Sequence, residues 1–90
     1  MKKAIEITIK GVVQGVGFRK FSKIQADELL IKGSAQNLPD GSVKIYACGE
    51  EKDIENFISI LKIGPLKSEV QSVELHTIAD FSSDVFEIIQ

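Results

Sequence analysis

Cysteine, histidine and tryptophan are nearly missing from this chain. Its 90 residues include one cysteine, Cys48, one histidine, His76, and no tryptophan. A single cysteine can form neither an intramolecular disulfide nor a thiolate metal cluster, so both kinds of scaffold are excluded. Cys48 lies in a strand-like run, where we expect a buried structural thiol, and we expect His76 at the surface or edge of a strand. The length allows one modest core, which predicts a single domain over residues 1–90.

Long apolar runs and an excess of basic charge are also absent. No stretch approaches the roughly 20 apolar residues that a membrane helix needs, and Glu6 interrupts the N-terminal run too early for a signal peptide. The formal net charge is -2 and the pI is near 5.3, whereas nucleic-acid-binding domains carry a basic face. One tyrosine and five phenylalanines offer few surfaces on which bases could stack. We therefore expect a cytoplasmic protein without nucleic-acid or membrane partners.

Arginine occurs once, and its position is informative. Ten of the eleven cationic side chains are lysines, and the exception, Arg19, directly follows a loop with glycines at positions 11, 15 and 17. A guanidinium offers a rigid fork of donors that matches phosphate or carboxylate oxygens. The loop can turn its N–H groups inward, and a helix that begins near Phe18 adds its positive end. A helix dipole disfavours a cation in the first turn of the helix, so Arg19 is placed against a stability preference. Such a placement favours a role for Arg19 in binding an anion.

The hydrophobic pattern predicts seven elements. We predict strands at 3–10, 34–38, 43–48, 70–78 and 85–89, and helices at 18–29 and around 54–61. This β-α-β-β-α-β order with a terminal strand predicts an α+β, ferredoxin-like sandwich, with an antiparallel sheet, both helices on one face and a short fifth strand. In that topology the first and third strands are neighbours and the second pairs with the third. The end of the second strand can then approach the glycine loop.

The loop is also the first half of a longer pattern. Gly11-x-Val13-Gln14-Gly15-Val16-x-Phe18-Arg19 is followed by Gly33-x-Ala35-x-Asn37-x-x-x-Gly41-x-Val43 and by Gly49. The pair resembles the signature of the acylphosphatase family, and the resemblance spans essentially the whole chain. It implies a ferredoxin-like fold and hydrolysis of the carboxyl–phosphate bond of small acyl phosphates, releasing inorganic phosphate, without metal or cofactor. We expect a monomer.

The resemblance also implies roles for individual residues. Arg19 binds the phosphoryl oxygens and Asn37 holds the attacking water. The phosphoryl group is cradled by the backbone amides of Gln14, Gly15, Val16, Gly17 and Phe18. The side chain of Gln14 is expected to be structural or to steady the loop.

Such a site contains no general acid or base, and the substrate explains why. The leaving group is a carboxylate with an intrinsic pKa near ~4, so it departs without a proton. Phosphoryl transfer then needs mainly positioning and charge stabilisation. A nest of amides, an arginine and an asparagine supply that minimum.

Two positions depart from the family pattern. Ser34 replaces an aromatic residue, and Leu30 replaces the small residue, often glycine, that ends the first helix.

Three other classes of protein stay open. A binding or regulatory module would keep the anion loop but lack turnover, although retention of Arg19 and Asn37 argues against it. A domain of a larger maturation enzyme would be followed by zinc-finger-like cysteines, and a metal chaperone would carry Cys-x-x-Cys in its first loop.

Overall fold

The computed structural model of the chain describes residues 1–79, 81 and 83–90 and confirms the predicted order of elements. The elements are β1 (Lys2–Val12), α1 (Phe18–Glu28), β2 (Lys32–Asn37), β3 (Val43–Glu50), α2 (Glu51–Ile63), β4 (Glu69–Thr77) and β5 (Phe86–Ile89). Strand β1 and helix α2 extend further at both ends than the sequence pattern predicts. Neither helix of the described residues is long and apolar enough to cross a membrane.

The five strands form one sheet in the order β4-β1-β3-β2-β5. The pairs β1–β3, β1–β4 and β2–β3 are antiparallel, as predicted, but β5 pairs parallel to β2, so the sheet is mixed. The reason is topological, since β4 runs opposite to β1 and β2 and therefore ends at the same end of the sheet at which β2 begins. Strand β5 starts from that same end of the sheet, next to β2, and therefore runs parallel to β2.

Both helices cover one face of this sheet. The side chains of Ile5, Ile7 and Ile9 all point toward that face, because every second residue of a strand faces the same side. These three residues are at most 3% exposed. Helix α2 buries Ile54, Phe57 and Leu61 at helical spacing. The Phe57 and Phe86 rings pack edge to face with centroids 6.0 Å apart. This core joins β5 to the rest of the sheet and to α2.

The opposite face of the sheet carries Ser34 and Cys48. Cys48 was predicted to be buried, but it is only half-buried because the alternation of β3 turns Ala47 toward the helices and Cys48 away from them. Ser34 is also half-buried, opposite Tyr46, and with Phe81 it borders a cavity of about 360 Å³. The missing aromatic ring therefore leaves a cavity at the surface rather than a hole in the core. His76 is exposed on the edge strand β4, as predicted.

Leu30 ends α1 in a conformation that costs an L-amino acid energy. Its φ is 59°, in the left-handed region, and its side chain is 74% exposed. The Ile31 amide donates to the Ala26 carbonyl at 2.8 Å and the Leu30 amide to the Asp27 carbonyl at 3.3 Å, which is the Schellman arrangement. Glycine adopts this position without a Cβ clash, so the departure from the family pattern is a local strain.

We predict that Leu30→Gly stabilises the protein. Relief of the left-handed strain should exceed the added entropy of the unfolded chain and raise the free energy of unfolding by about 1 kcal/mol. Urea unfolding followed by circular dichroism measures the change. Leu30→Ala is the matched control, because it removes the exposed side chain but keeps the strain. An equal gain from alanine would show that the leucine side chain, and not the backbone, is the cause.

Candidate functional site

The loop between β1 and α1 is shaped by glycines with positive φ. Gly15 and Gly17 have φ of 74° and 78°, values that residues with a Cβ rarely adopt. Apart from the adjacent residues of the chain, no atom lies within 4 Å of the place that a Cβ would take on either residue, so the backbone angle and not crowding requires glycine there. Alternation of left- and right-handed residues is the geometry that gathers successive N–H groups into an anion-binding concavity.

The amides of this loop lead directly into the first turn of α1. The first bond of the helix runs from the Phe21 amide to the Gly17 carbonyl at 2.9 Å, and no side chain caps the helix start. Within the described part of the chain, no hydrogen bond occupies the backbone amides of residues 15–20. The first turn also contains no acidic residue. A row of unsatisfied donors therefore coincides with the positive end of the helix dipole.

Arg19 is held in place by the C-terminal strand. Its Nη1 donates to the Ile89 carbonyl at 2.9 Å, and the side chain is half-buried. A guanidinium has five N–H donors, so this one bond leaves others for an anion. Strand β5 thus orients the guanidinium of Arg19, whose positive charge lies near the N-terminus of α1.

Arg19 and Asn37 open onto the same cavity. Its volume is about 240 Å³, and it is lined by Val13, Gly15, Gly17, Phe18, Arg19, Lys20, Asn37, Ile88 and Gln90. Of the predicted site residues, five are therefore brought together here, and Gln14 and Val16 lie outside the lining. Val16 instead packs partly against the hydrophobic core. The register of the sheet makes this possible, because Asn37 is the last residue of β2, at the same end of the sheet as the loop.

The side chain of Gln14 does not line the cavity but bonds to a neighbouring turn. Its Nε2 donates to the Leu38 carbonyl at 2.8 Å and to the Ser42 carbonyl at 2.9 Å. Both acceptors belong to the turn that joins β2 and β3. The two bonds tie the loop after β1 to this turn.

The turn between β2 and β3 is organised by Asp40. One of its carboxylate oxygens accepts bonds from the Ser42 hydroxyl at 2.6 Å and from the Ser42 amide at 2.9 Å. These two bonds, the hydroxyl first, hold the pKa of Asp40 below its ordinary value, and the charge of Lys10 adds to the effect. Asp40 thus stabilises the turn that follows Asn37.

Reasoning from the sequence missed four residues of the cavity lining, Val13, Lys20, Ile88 and Gln90, and the Ile89 carbonyl that holds Arg19. Lys20 lines the cavity beside Arg19, and only its position next to the arginine could have indicated it. The Ile89 carbonyl is a backbone group, so no side-chain pattern could mark it. Among residues 1–79, 81 and 83–90, no three His, Cys, Asp or Glu side chains form a group that could hold a metal ion.

Comparison with known proteins identifies the family. The model of the acylphosphatase family matches residues 5–88 of this chain, which include the whole loop, Arg19 and Asn37. The chain belongs to the acylphosphatase family. It is 46% identical to an acylphosphatase of Helicobacter hepaticus over the full length of both proteins. It is 47% identical to an acylphosphatase of Archaeoglobus fulgidus over 94% of this chain and 96% of the relative.

The fold agrees with that of solved acylphosphatases. The crystal structure of the acylphosphatase from Bacillus subtilis superposes with a TM-score of 0.95, at 32% identity and with complete coverage of both chains. The chain is accordingly an acylphosphatase enzyme, which hydrolyses the carboxyl–phosphate bond of acyl phosphates. These relatives favour hydrolysis over the alternative of a module that only binds anions.

We predict that the carboxyl of Asp40 titrates below the ordinary pKa of aspartate. Because the folded pKa is the lower one, its stabilising effect is present above the unfolded pKa and is lost as the pH falls through the folded pKa. Carboxyl-carbon NMR measures this titration directly. Ser42→Ala removes the strongest of the two bonds and should move the pKa of Asp40 upward. An unchanged pKa in that variant would contradict the assignment.

Proposed function

We propose that this acylphosphatase catalyses direct attack of water on a phosphoryl group held by its loop, Arg19 and the start of α1. The observation that carries the proposal is the single cavity shared by Arg19, Asn37 and the glycine loop. The loop amides from Gln14 to Phe18 and the guanidinium surround the non-bridging oxygens of the phosphoryl group. These donors are fixed before the substrate arrives, so little reorganisation is needed as charge builds on the oxygens.

Asn37 is proposed to orient the attacking water. Its amide group can accept up to two hydrogen bonds and donate two, so it can hold a water and face the phosphoryl oxygens at once. In-line attack requires the water on the side opposite the leaving oxygen, and a positioned amide selects that approach. The carboxylate then leaves unprotonated, because its intrinsic pKa is near ~4. A phosphoryl oxygen accepts the proton of the water.

The remaining properties follow more general features of the chain. We propose a monomer, built as one domain over residues 1–90, whose small-molecule partner is an acyl phosphate and not a nucleic acid. A single continuous core from β1 to β5 supports one domain, and the net charge of -2 supports the exclusion of nucleic acid. The free thiol of Cys48 fits a cytoplasmic, reducing compartment.

Arg19→Lys tests whether the guanidinium fork is required. We predict that kcat/KM for benzoyl phosphate falls about 100-fold in this charge-preserving variant, because an ammonium cannot replace two oriented donors. The inhibition constant of inorganic phosphate should rise in parallel. Benzoate release, assayed with a chelator present, measures both quantities and also tests independence from metal.

The matched control exchanges the two neighbouring cations. Arg19→Lys combined with Lys20→Arg keeps the composition and moves the fork by one residue, about 100° around the helix. The double variant should stay as impaired as Arg19→Lys. Recovery of wild-type kcat/KM would show that any arginine at the start of α1 suffices.

Asn37→Ala separates binding from turnover. We predict that kcat falls about 100-fold while the inhibition constant of inorganic phosphate changes less than about threefold, because the amide acts on the water and not on the bound anion. Asn56→Ala, at an exposed position of α2, is the control and should behave as wild type. Unchanged turnover in Asn37→Ala would remove Asn37 from the mechanism.

A further inference from the structure

The two hydrogen bonds of the Gln14 side chain connect the two halves of the site. Gln14 belongs to the loop that follows β1, whereas its acceptors, Leu38 and Ser42, lie 24 and 28 residues further along the chain. Both bonds are short and come from the same Nε2, so both of its protons are used. The side chain is partly buried, which protects the bonds from competition with water.

The two acceptors flank Asn37. Leu38 directly follows Asn37 in sequence, and Ser42 directly precedes Val43, which is the cross-strand partner of Asn37. The bonds from Gln14 therefore hold the end of the hairpin on both strands. A shift of the hairpin relative to the loop would have to break at least one of them.

The hairpin does not need Gln14 to close. The Leu38 carbonyl also accepts from the Gly41 amide at 3.1 Å, and the Ser42 carbonyl accepts from the Leu38 amide at 2.9 Å. Loss of the Gln14 bonds consequently leaves no carbonyl of the turn without a donor, and the large penalty for an orphaned buried acceptor does not arise. What the loss removes is the fixed distance between the turn and the loop.

We propose that Gln14 is a positioning residue for hydrolysis, which sets where Asn37 stands relative to the bound phosphoryl group. The inference rests on the proposed role of Asn37. A misplacement of about 1 Å can cost about 100-fold in rate, because attack by water depends on alignment. Arg19 is oriented separately, by the Ile89 carbonyl, and the buried ring of Phe18 also anchors the loop, so we expect binding of the anion to depend little on the Gln14 bonds.

A double-mutant cycle between Gln14→Met and Asn37→Ala tests this coupling. Methionine has nearly the shape of glutamine but no donor, and the turn keeps its own bonds. We expect Gln14→Met to lower kcat for benzoyl phosphate about tenfold while the inhibition constant of inorganic phosphate stays within about twofold. In the Asn37→Ala background, the same substitution should change kcat by less than about twofold. Circular dichroism verifies that each variant is folded.

Gln71→Met is the matched control, since Gln71 is exposed on the edge strand β4. It should leave kcat unchanged in both backgrounds. The inference would be overturned if the loss of kcat in the double variant equalled the product of the losses in the two single variants. It would also be overturned if Gln14→Met raised the phosphate inhibition constant by as large a factor as it lowered kcat. Wild-type turnover in Asn37→Ala alone would instead overturn the proposed role of Asn37, so the two failures are distinguishable.

Gln14→Glu provides a second readout that a purely structural role would not produce. At neutral pH the new carboxylate faces two carbonyl oxygens and cannot donate to either, so kcat should fall. Below about pH 5 the carboxyl becomes protonated and regains one donor, and kcat relative to wild type at the same pH should rise. A ratio that does not change with pH would overturn the inference.

Discussion

The proposed anion site of backbone amides requires a loop whose own amides remain unpaired, and the rest of the proposed site depends on that constraint. In the described part of the chain, the amides of residues 15–20 have no internal acceptors. A loop without internal hydrogen bonds has little stability of its own. It must therefore be held from outside, by the strand before it, the helix after it and side-chain bonds to its neighbours. Gln14 and the buried ring of Phe18 provide two such attachments.

The C-terminal strand has a comparable role on the other side of the cavity. Strand β5 packs into the core through Phe86, and its backbone accepts bonds from two side chains of α1, Arg19 to Ile89 and Lys23 to Phe86. These bonds fix the first turns of the helix against the edge of the sheet. The guanidinium is thereby oriented before any ligand binds. The proposed active site has few chemical groups, so we expect its rate to come from such preorganisation.

The positions that depart from the family pattern lie away from this arrangement. Leu30 carries its strain at the end of α1 opposite the proposed anion site, where a Schellman turn accommodates a left-handed leucine. Ser34 leaves a cavity on the sheet face that the helices do not cover. Neither residue lines the cavity shared by Arg19 and Asn37. The cost of both departures therefore falls on stability rather than on the geometry of the site.

The sequence by itself determined the order of elements, the glycine loop and the single arginine, because strand alternation, helical spacing and glycine's freedom at positive φ are local properties. It also indicated the family, through residues 11–19 and 33–43. The parallel pairing of β5, the half-exposure of Cys48 and the Ile89 carbonyl that holds Arg19 were decided only by the tertiary structure. Each depends on which segments meet across the sheet. The proximity of Asn37 to Arg19 was expected from the topology. The two hydrogen bonds from the Gln14 side chain to the hairpin were not expected, since their acceptors are backbone carbonyls that no sequence pattern marks.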